Sequence, residues 1–150
     1  MKCPTYLMFL VAMGLWLVGT SIVLAADGPA IAPESYQLSH RQWLAPKWGD
    51  KTGRMLTDGA TGSAKNAVIF KGPVMDVDFT LSGRHAVTHV RVHAMRGNKW
   101  YKLNGIQVFA RQGGQFVLAA KNMGGWTANT RTTAHVYDFT DLGVQTDAIR

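Results

Sequence analysis

The stretch Ile106-Gln107-Val108-Phe109-Ala110-Arg111-Gln112-Gly113-Gly114-Gln115-Phe116-Val117-Leu118-Ala119-Ala120 decides the fold class. Two short runs of strand-forming residues, Ile106 to Arg111 and Phe116 to Ala120, flank a Gly-Gly pair. Adjacent glycines reach the positive φ values that a two-residue turn needs, so the segment predicts a β-hairpin. The same grammar recurs on either side. From Met75 to Leu81, Val77, Phe79 and Leu81 alternate with Asp76, Asp78 and Thr80, the period of a strand with one buried face. Ser82-Gly83-Arg84-His85 reads as a turn. Val87 to Met95 then alternates again, with Val90, Val92 and Ala94 inward and His89, Arg91 and His93 outward. His135 to Phe139 predicts a further strand, and Ala148-Ile149-Arg150 the opening of another. Beyond the N-terminal segment, no window of about 11 residues sustains a helical stripe. Short strands with one buried face each predict an all-β, antiparallel β-sandwich.

Composition leans the same way. Eight Asp stand against a single Glu, Glu34, and only 17% of residues are charged, which is little for exposed helix surface. A chain of 150 residues holds one domain, and 47% hydrophobic residues exclude wholesale disorder. The lone cysteine, Cys3, excludes an intrachain disulfide framework and any multi-cysteine metal site.

Met1 to Ala26 reads as a secretory signal helix. Lys2 supplies the positive start, Leu7 to Leu24 is free of charge, and Val23-Leu24-Ala25-Ala26 ends in small residues before the polar Asp27-Gly28-Pro29. An uncleaved membrane anchor is the alternative, since about 18 apolar residues just span a bilayer. Cleavage removes Lys2 and Cys3, and 15 basic against 9 acidic residues leave a charge of +6 in place of +7. The expected organisation is a signal peptide over 1–26, a Pro-containing linker over 27–35 and a sandwich over 36–150.

Three long connections carry tryptophan: Ser39 to Leu56 with Trp43 and Trp48, Arg96 to Lys102 with Trp100, and Lys121 to Thr133 with Trp126. Loops on a rigid sandwich are where function usually sits. Sugar rings present apolar C–H faces, so an exposed aromatic beside hydrogen-bonding groups makes a carbohydrate site. Arg96, Asn98, Trp100 and Tyr101 supply those parts within six residues, and Trp43 and Trp48 add to them from the first loop. The competing role for a loop tryptophan is to cap the core, which suits one of Trp43 and Trp48, and Trp126 better than Trp100.

Several motifs occur in a telling order. Met55-Leu56-Thr57-Asp58-Gly59 is followed by Val68-Ile69-Phe70-Lys71-Gly72, then Val77-Asp78-Phe79-Thr80-Leu81-Ser82, then Val87-Thr88-His89-Val90-Arg91-Val92-His93. Leu103-Asn104-Gly105-Ile106-Gln107-Val108-Phe109 leads into Gly113-Gly114-Gln115-Phe116. This order resembles the discoidin, or coagulation factor V/VIII C-type, domain of the galactose-binding-like superfamily, which includes family 32 carbohydrate-binding modules. The resemblance covers about Tyr36 to Arg150 and implies a jelly-roll sandwich with recognition loops at one end. It also implies a structural calcium ion near the Thr57-Asp58 turn, where a hard cation would need several oxygens. An Asx-turn, in which Asp58 bonds its own backbone, is the other account of that turn. The chain departs from the family pattern at Leu81-Ser82-Gly83, where Leu-Gly is usual. It lacks the tryptophan common after the Asp-Gly turn and the cysteine pair of animal members, which bacterial members often lack too. The family's closing strand is longer than Ala148-Ile149-Arg150, so the resemblance implies a last strand cut short and a larger exported protein.

Nothing in the sequence supports catalysis. There is no Gly-x-Ser-x-Gly elbow, no His-Glu-x-x-His and no placed carboxylate pair. His89 and His93 lie four residues apart on a strand, about 13 Å, too far to share one metal ion. The expected function is a secreted, monomeric, non-catalytic carbohydrate-binding module for an extracellular or cell-surface glycan. The basic excess would suit an anionic polysaccharide, and export argues against nucleic acid. The alternatives are a module adhering to a membrane surface or protein through the Trp43–Trp48 loop, whose neighbours Arg41, Lys47, Lys51 and Arg54 are basic, and a spacer without ligand.

Overall fold

The structure, a computed structural model, describes residues 23–25, 30–40, 49–50, 52–57, 67–70, 74–96, 103–124 and 133–150. These form eight strands: β1 (Val23–Ala25), β2 (Ser35–Leu38), β3 (Val77–Val87), β4 (His89–Arg96), β5 (Ile106–Gln112), β6 (Gln115–Asn122), β7 (Thr133–Phe139) and β8 (Val144–Ile149). No helix occurs among the described residues. All pairings are antiparallel. One sheet has the order β1-β4-β7 and the other β2-β3-β8-β5-β6.

The two sheets share one apolar core, as an all-β sandwich-type architecture requires. Leu81, Val87, Val108, Ala110 and Ile149 come from the larger sheet, and Val90, Tyr137 and Phe139 from the smaller. Each large aliphatic buried this way contributes roughly 1.5–3 kcal/mol relative to exposure. The inward set expected for β4 is observed: Val90 is buried, and Val92 and Ala94 pack against the core. The Gly-Gly hairpin is also as expected, with φ of 56° at Gly113 and 84° at Gly114, the signs of a type I′ turn.

A paired crossing joins the sheets. β3 passes into β4 through Thr88 alone, and β7 passes into β8 through 140–143. The two connections run side by side, since Leu142 N–H donates to the Thr88 carbonyl at 3.0 Å. β3 pairs with β8 before the crossing and β4 with β7 after it, so one two-stranded ribbon folds over to supply both sheets.

Two stretches differ from expectation. Ser82 to His85 is not a turn: β3 continues through it to Val87. Thr80 lies opposite Ala148 and His85 opposite Thr146, so Leu81 to Arg84 bulge against Asp147 alone. The last strand begins at Val144 rather than Ala148 and lies centrally between β3 and β5. Most of the expected signal helix lies outside the described residues, but its final Val23–Ala25 are extended and pair with β4 from Arg91 to His89. The expected linker contributes to the body as well: Ile31 packs against the core, Pro33 is buried, and Glu34 N–H donates to the Thr80 carbonyl at 2.9 Å.

Thr146 is a buried polar side chain where β8 departs from regular pairing. Its hydroxyl accepts from the N–H groups of Arg111 at 3.0 Å and Ala148 at 3.2 Å, and lies within donating distance of both their carbonyls. The hydroxyl thus stands in for ladder bonds between β8 and β5. The Tyr137 hydroxyl is its opposite, buried without a hydrogen-bond partner among the described residues. The two predict opposite responses to loss of oxygen. Thr146→Val should lower the unfolding free energy by about 1–3 kcal/mol by stranding backbone groups, whereas Tyr137→Phe should leave stability unchanged or raise it. Equal destabilisation by both in denaturant titrations would refute this.

Candidate functional site

Strand direction decides where the connections emerge. In the larger sheet Leu38 pairs with Val77 and Ile106 with Asn122, so the end of β2, the start of β3, the start of β5 and the end of β6 share one edge of the body. In the smaller sheet Arg96 at the end of β4 pairs with Thr133 at the start of β7. β4 and β7 run on from the crossing at Thr88 and 140–143, and Ala94, near their Arg96–Thr133 end, packs against the same core as Ile106. The connection spanning 39–76 therefore has both its ends on this edge of the larger sheet, and those spanning 97–105 and 123–132 each have one there, at the start of β5 and the end of β6. The other end carries the short links: Thr88, 140–143 and Gly113–Gly114.

These three connections contain the sequence-predicted carbohydrate residues. Trp43, Trp48, Asn98, Trp100 and Tyr101 lie outside the described residues, as does Asp58 of the expected metal turn. Arg96 is the final residue of β4, and its side chain is likewise outside them. The structure thus brings the roots of the three connections together.

The roots of the first connection are tied to each other, and those of the second and third meet. Ser39 N–H donates to the Asp76 carbonyl at 3.0 Å, and Asp76 N–H donates to Ser39 Oγ at 3.1 Å, which extends the β2–β3 ladder into the longest connection. Gly105 is held against the end of β6: a Cβ there would sit 2.7 Å from the Asn122 carbonyl oxygen and 3.0 Å from Met123 Cα. Backbone at that range cannot give way cheaply, so glycine is what permits the 97–105 and 123–132 roots to meet.

Asp50 organises the first connection from inside. Its carboxylate accepts the Tyr36 hydroxyl of β2, while Oδ1 accepts the N–H of Gly53 at 2.8 Å, Thr52 at 3.3 Å and Met55 at 3.4 Å. The Tyr36 oxygen in turn accepts Leu56 N–H at 3.4 Å. Asp50 is buried, and Tyr36 packs on Phe79 with ring centroids 5.8 Å apart, so this polar node is anchored on the core. Burial alone would raise the Asp50 carboxyl, but the Tyr36 hydroxyl and the three backbone N–H groups outweigh it and hold the group below its ordinary 3.8. Sequence reasoning missed this pair. An aspartate ahead of Thr52-Gly53 is an Asx-turn signal, but nothing local points to Tyr36.

Thr57, the describable half of the expected metal turn, closes a turn of its own. Its N–H and hydroxyl both donate to the Arg54 carbonyl, at 2.9 and 3.2 Å. Among the described residues no group of three or more His, Cys, Asp or Glu is placed to hold a metal ion. His93, expected on a solvated face, is half-buried; burial first, and then the Arg91 charge, lower its affinity for a proton despite Asp138 nearby. Arg91 is ion-paired to Asp138 at 2.8 Å.

Comparison with protein-family models and with curated proteins yields no match to the chain.

The Asp50 node makes a pH-dependent prediction. A carboxyl held below its unfolded value contributes stability that is complete above that value and is lost as pH falls through the folded one. Asp50→Asn should therefore destabilise the protein by about 1–3 kcal/mol near neutral pH. The gap between wild type and variant should narrow once pH drops below the ordinary 3.8. Denaturant unfolding across that range checks it; a gap constant down to the lowest pH would contradict the assignment.

Proposed function

We propose that the chain is an exported, non-catalytic carbohydrate-binding module of discoidin-like, galactose-binding-like jelly-roll type. The observation that supports this most is that three tryptophan-bearing connections each meet one edge of the larger sheet, the first held at its base by Ser39, Asp76 and Asp50 and the other two brought together at Gly105. A rigid base under several loops is the economical way to hold aromatic platforms for a sugar, because affinity suffers when the platform must be ordered on binding. In this reading Trp100 or Tyr101 stacks on a pyranose face, Arg96 and Asn98 hydrogen-bond its hydroxyls, and Trp43 and Trp48 extend the apolar surface. A calcium ion at Thr57 and Asp58 would stiffen the first connection without touching the glycan. The partner is an extracellular or cell-surface glycan, met by a monomeric exported module.

Export has a structural consequence. Cleavage after Ala26 removes β1 together with the signal segment and leaves the Arg91–His89 edge of β4 unpaired.

A panel of immobilised glycans tests the proposal. Binding should be found, and Trp100→Ala should weaken it tenfold or more, since losing one aromatic platform costs about 1.5–3 kcal/mol. Salt-sensitive pelleting with liposomes and no glycan retention would favour the membrane-adhesive alternative working through Trp43 and Trp48. Silence in both would favour a spacer.

A further inference from the structure

At the opposite end of the sandwich, away from the three long connections, lies a cleft of about 360 Å³ lined by Arg84, Arg111, Gly113, Gly114 and Asp147. We propose that this cleft binds a carboxylate or sulfate substituent of an acidic polysaccharide through the guanidinium groups of Arg84 and Arg111.

Charge within the cleft is unbalanced. Arg111 Nε donates to Asp147 Oδ1 at 2.8 Å, and its terminal amino groups make no hydrogen bond among the described residues. Arg84 is exposed and has neither an ion pair nor a hydrogen bond among the described residues, and its charge acts at a distance on the Asp147 carboxyl. Two guanidinium groups and one carboxylate leave one positive charge. The charge of the next carboxylate of the sheet, Asp78, reaches Arg111 but is offset by Arg150, which holds both its oxygens at 2.6 and 2.8 Å. A guanidinium presents several N–H donors in a plane, which matches the paired oxygens of a carboxylate or sulfate.

The fold assembles this cleft by two local departures from regular structure. The β3 bulge sets Leu81 to Arg84 against Asp147 alone, which brings a residue from a neighbouring strand over the ion pair; bulges commonly re-aim a side chain in this way. The hairpin rim is Gly113-Gly114, where a Cβ would meet nothing within 4 Å, so the rim is open and presents only backbone to an incoming group. An odd charge, a second guanidinium free to engage and an unobstructed rim distinguish this place from the Arg91–Asp138 pair, where one cation faces one anion on the strand surface.

The site does not rest on the glycan reading of the loop end, and the two fail separately. Retention of the full chain is measured on dextran sulfate, polygalacturonate and uncharged dextran, with vesicles of phosphatidylcholine and phosphatidylglycerol as the lipid-phosphate arm. Arg84→Gln should weaken binding to the acidic polymers about five- to tenfold, the size expected of one exposed charge-assisted contact. Lys121→Gln, which removes the same charge from an exposed position on β6, should change it less than twofold, a screened long-range effect only. Asp147→Asn should tighten binding, because it releases Arg111 and raises the local charge. Trp100→Ala does not touch this cleft, so Arg84→Gln should weaken retention by the same factor in the Trp100→Ala background as in the wild type. Equal losses in Arg84→Gln and Lys121→Gln, no tightening in Asp147→Asn, or retention on the vesicles alone would overturn the proposal.

Discussion

The paired crossing of the chain between its two sheets is the constraint from which the rest follows. Thr88 is the only residue between β3 and β4, and Leu142 N–H bonds its carbonyl, so β3 cannot change sheets unless the β7–β8 connection changes with it. The ribbon brings buried residues of both sheets, Val87 and Val90 from one strand pair and Phe139 from the other, into a single core. Within the larger sheet the short links Thr88, 140–143 and Gly113–Gly114 leave at one edge, and each long connection meets the other.

Polar groups inside this frame act by replacing backbone bonds that the geometry would otherwise lose. Thr146 supplies a hydroxyl between β8 and β5 beside the bulge of β3 against β8, and Asp50 supplies a carboxylate where the first connection turns. Both are side chains whose partners are mainly backbone, the arrangement that makes a buried polar group tolerable. Arg150 does related work on the outer face, paired to Asp78 of β3 through two hydrogen bonds and lying 4.2 Å from the centroid of the Phe116 ring on β6. Its backbone exchanges hydrogen bonds of 2.8 Å with Phe109. One residue thereby links β3, β5 and β6 across the sheet.

What the sequence revealed and concealed follows from the range of the forces involved. The β5–β6 hairpin was legible because Gly113-Gly114 and the flanking strand formers carry the whole signal locally. The inward face of β4 was legible because burial imposes a period of two. The stretch Ser82 to His85 was not, because its composition is that of a turn and its strand character comes from β8, which pairs with it from far along the chain. Val144-Gln145-Thr146-Asp147 was passed over for the related reason that Thr146 is polar, although its hydroxyl is satisfied by backbone and buried. At the candidate site, the tryptophans were visible as residues, but their shared end depends on strand direction and register. The Tyr36–Asp50 contact and the Arg84–Arg111–Asp147 cleft join residues distant in sequence, and no spacing rule points to them.

The molecule has two chemically different ends, one fed by aromatic connections and the other by a Gly-Gly rim with an unbalanced arginine pair. The central claim is that neutral glycans are met at the aromatic end. Amide chemical-shift mapping of the isotope-labelled protein during titration with a neutral oligosaccharide tests it most directly. The shifts should cluster at Leu38, Ser39, Arg96, Leu103, Asn122 and Thr133, the roots of the three connections. Shifts confined to Gly113, Gly114 and 140–143, at the other end of the sandwich, would contradict it.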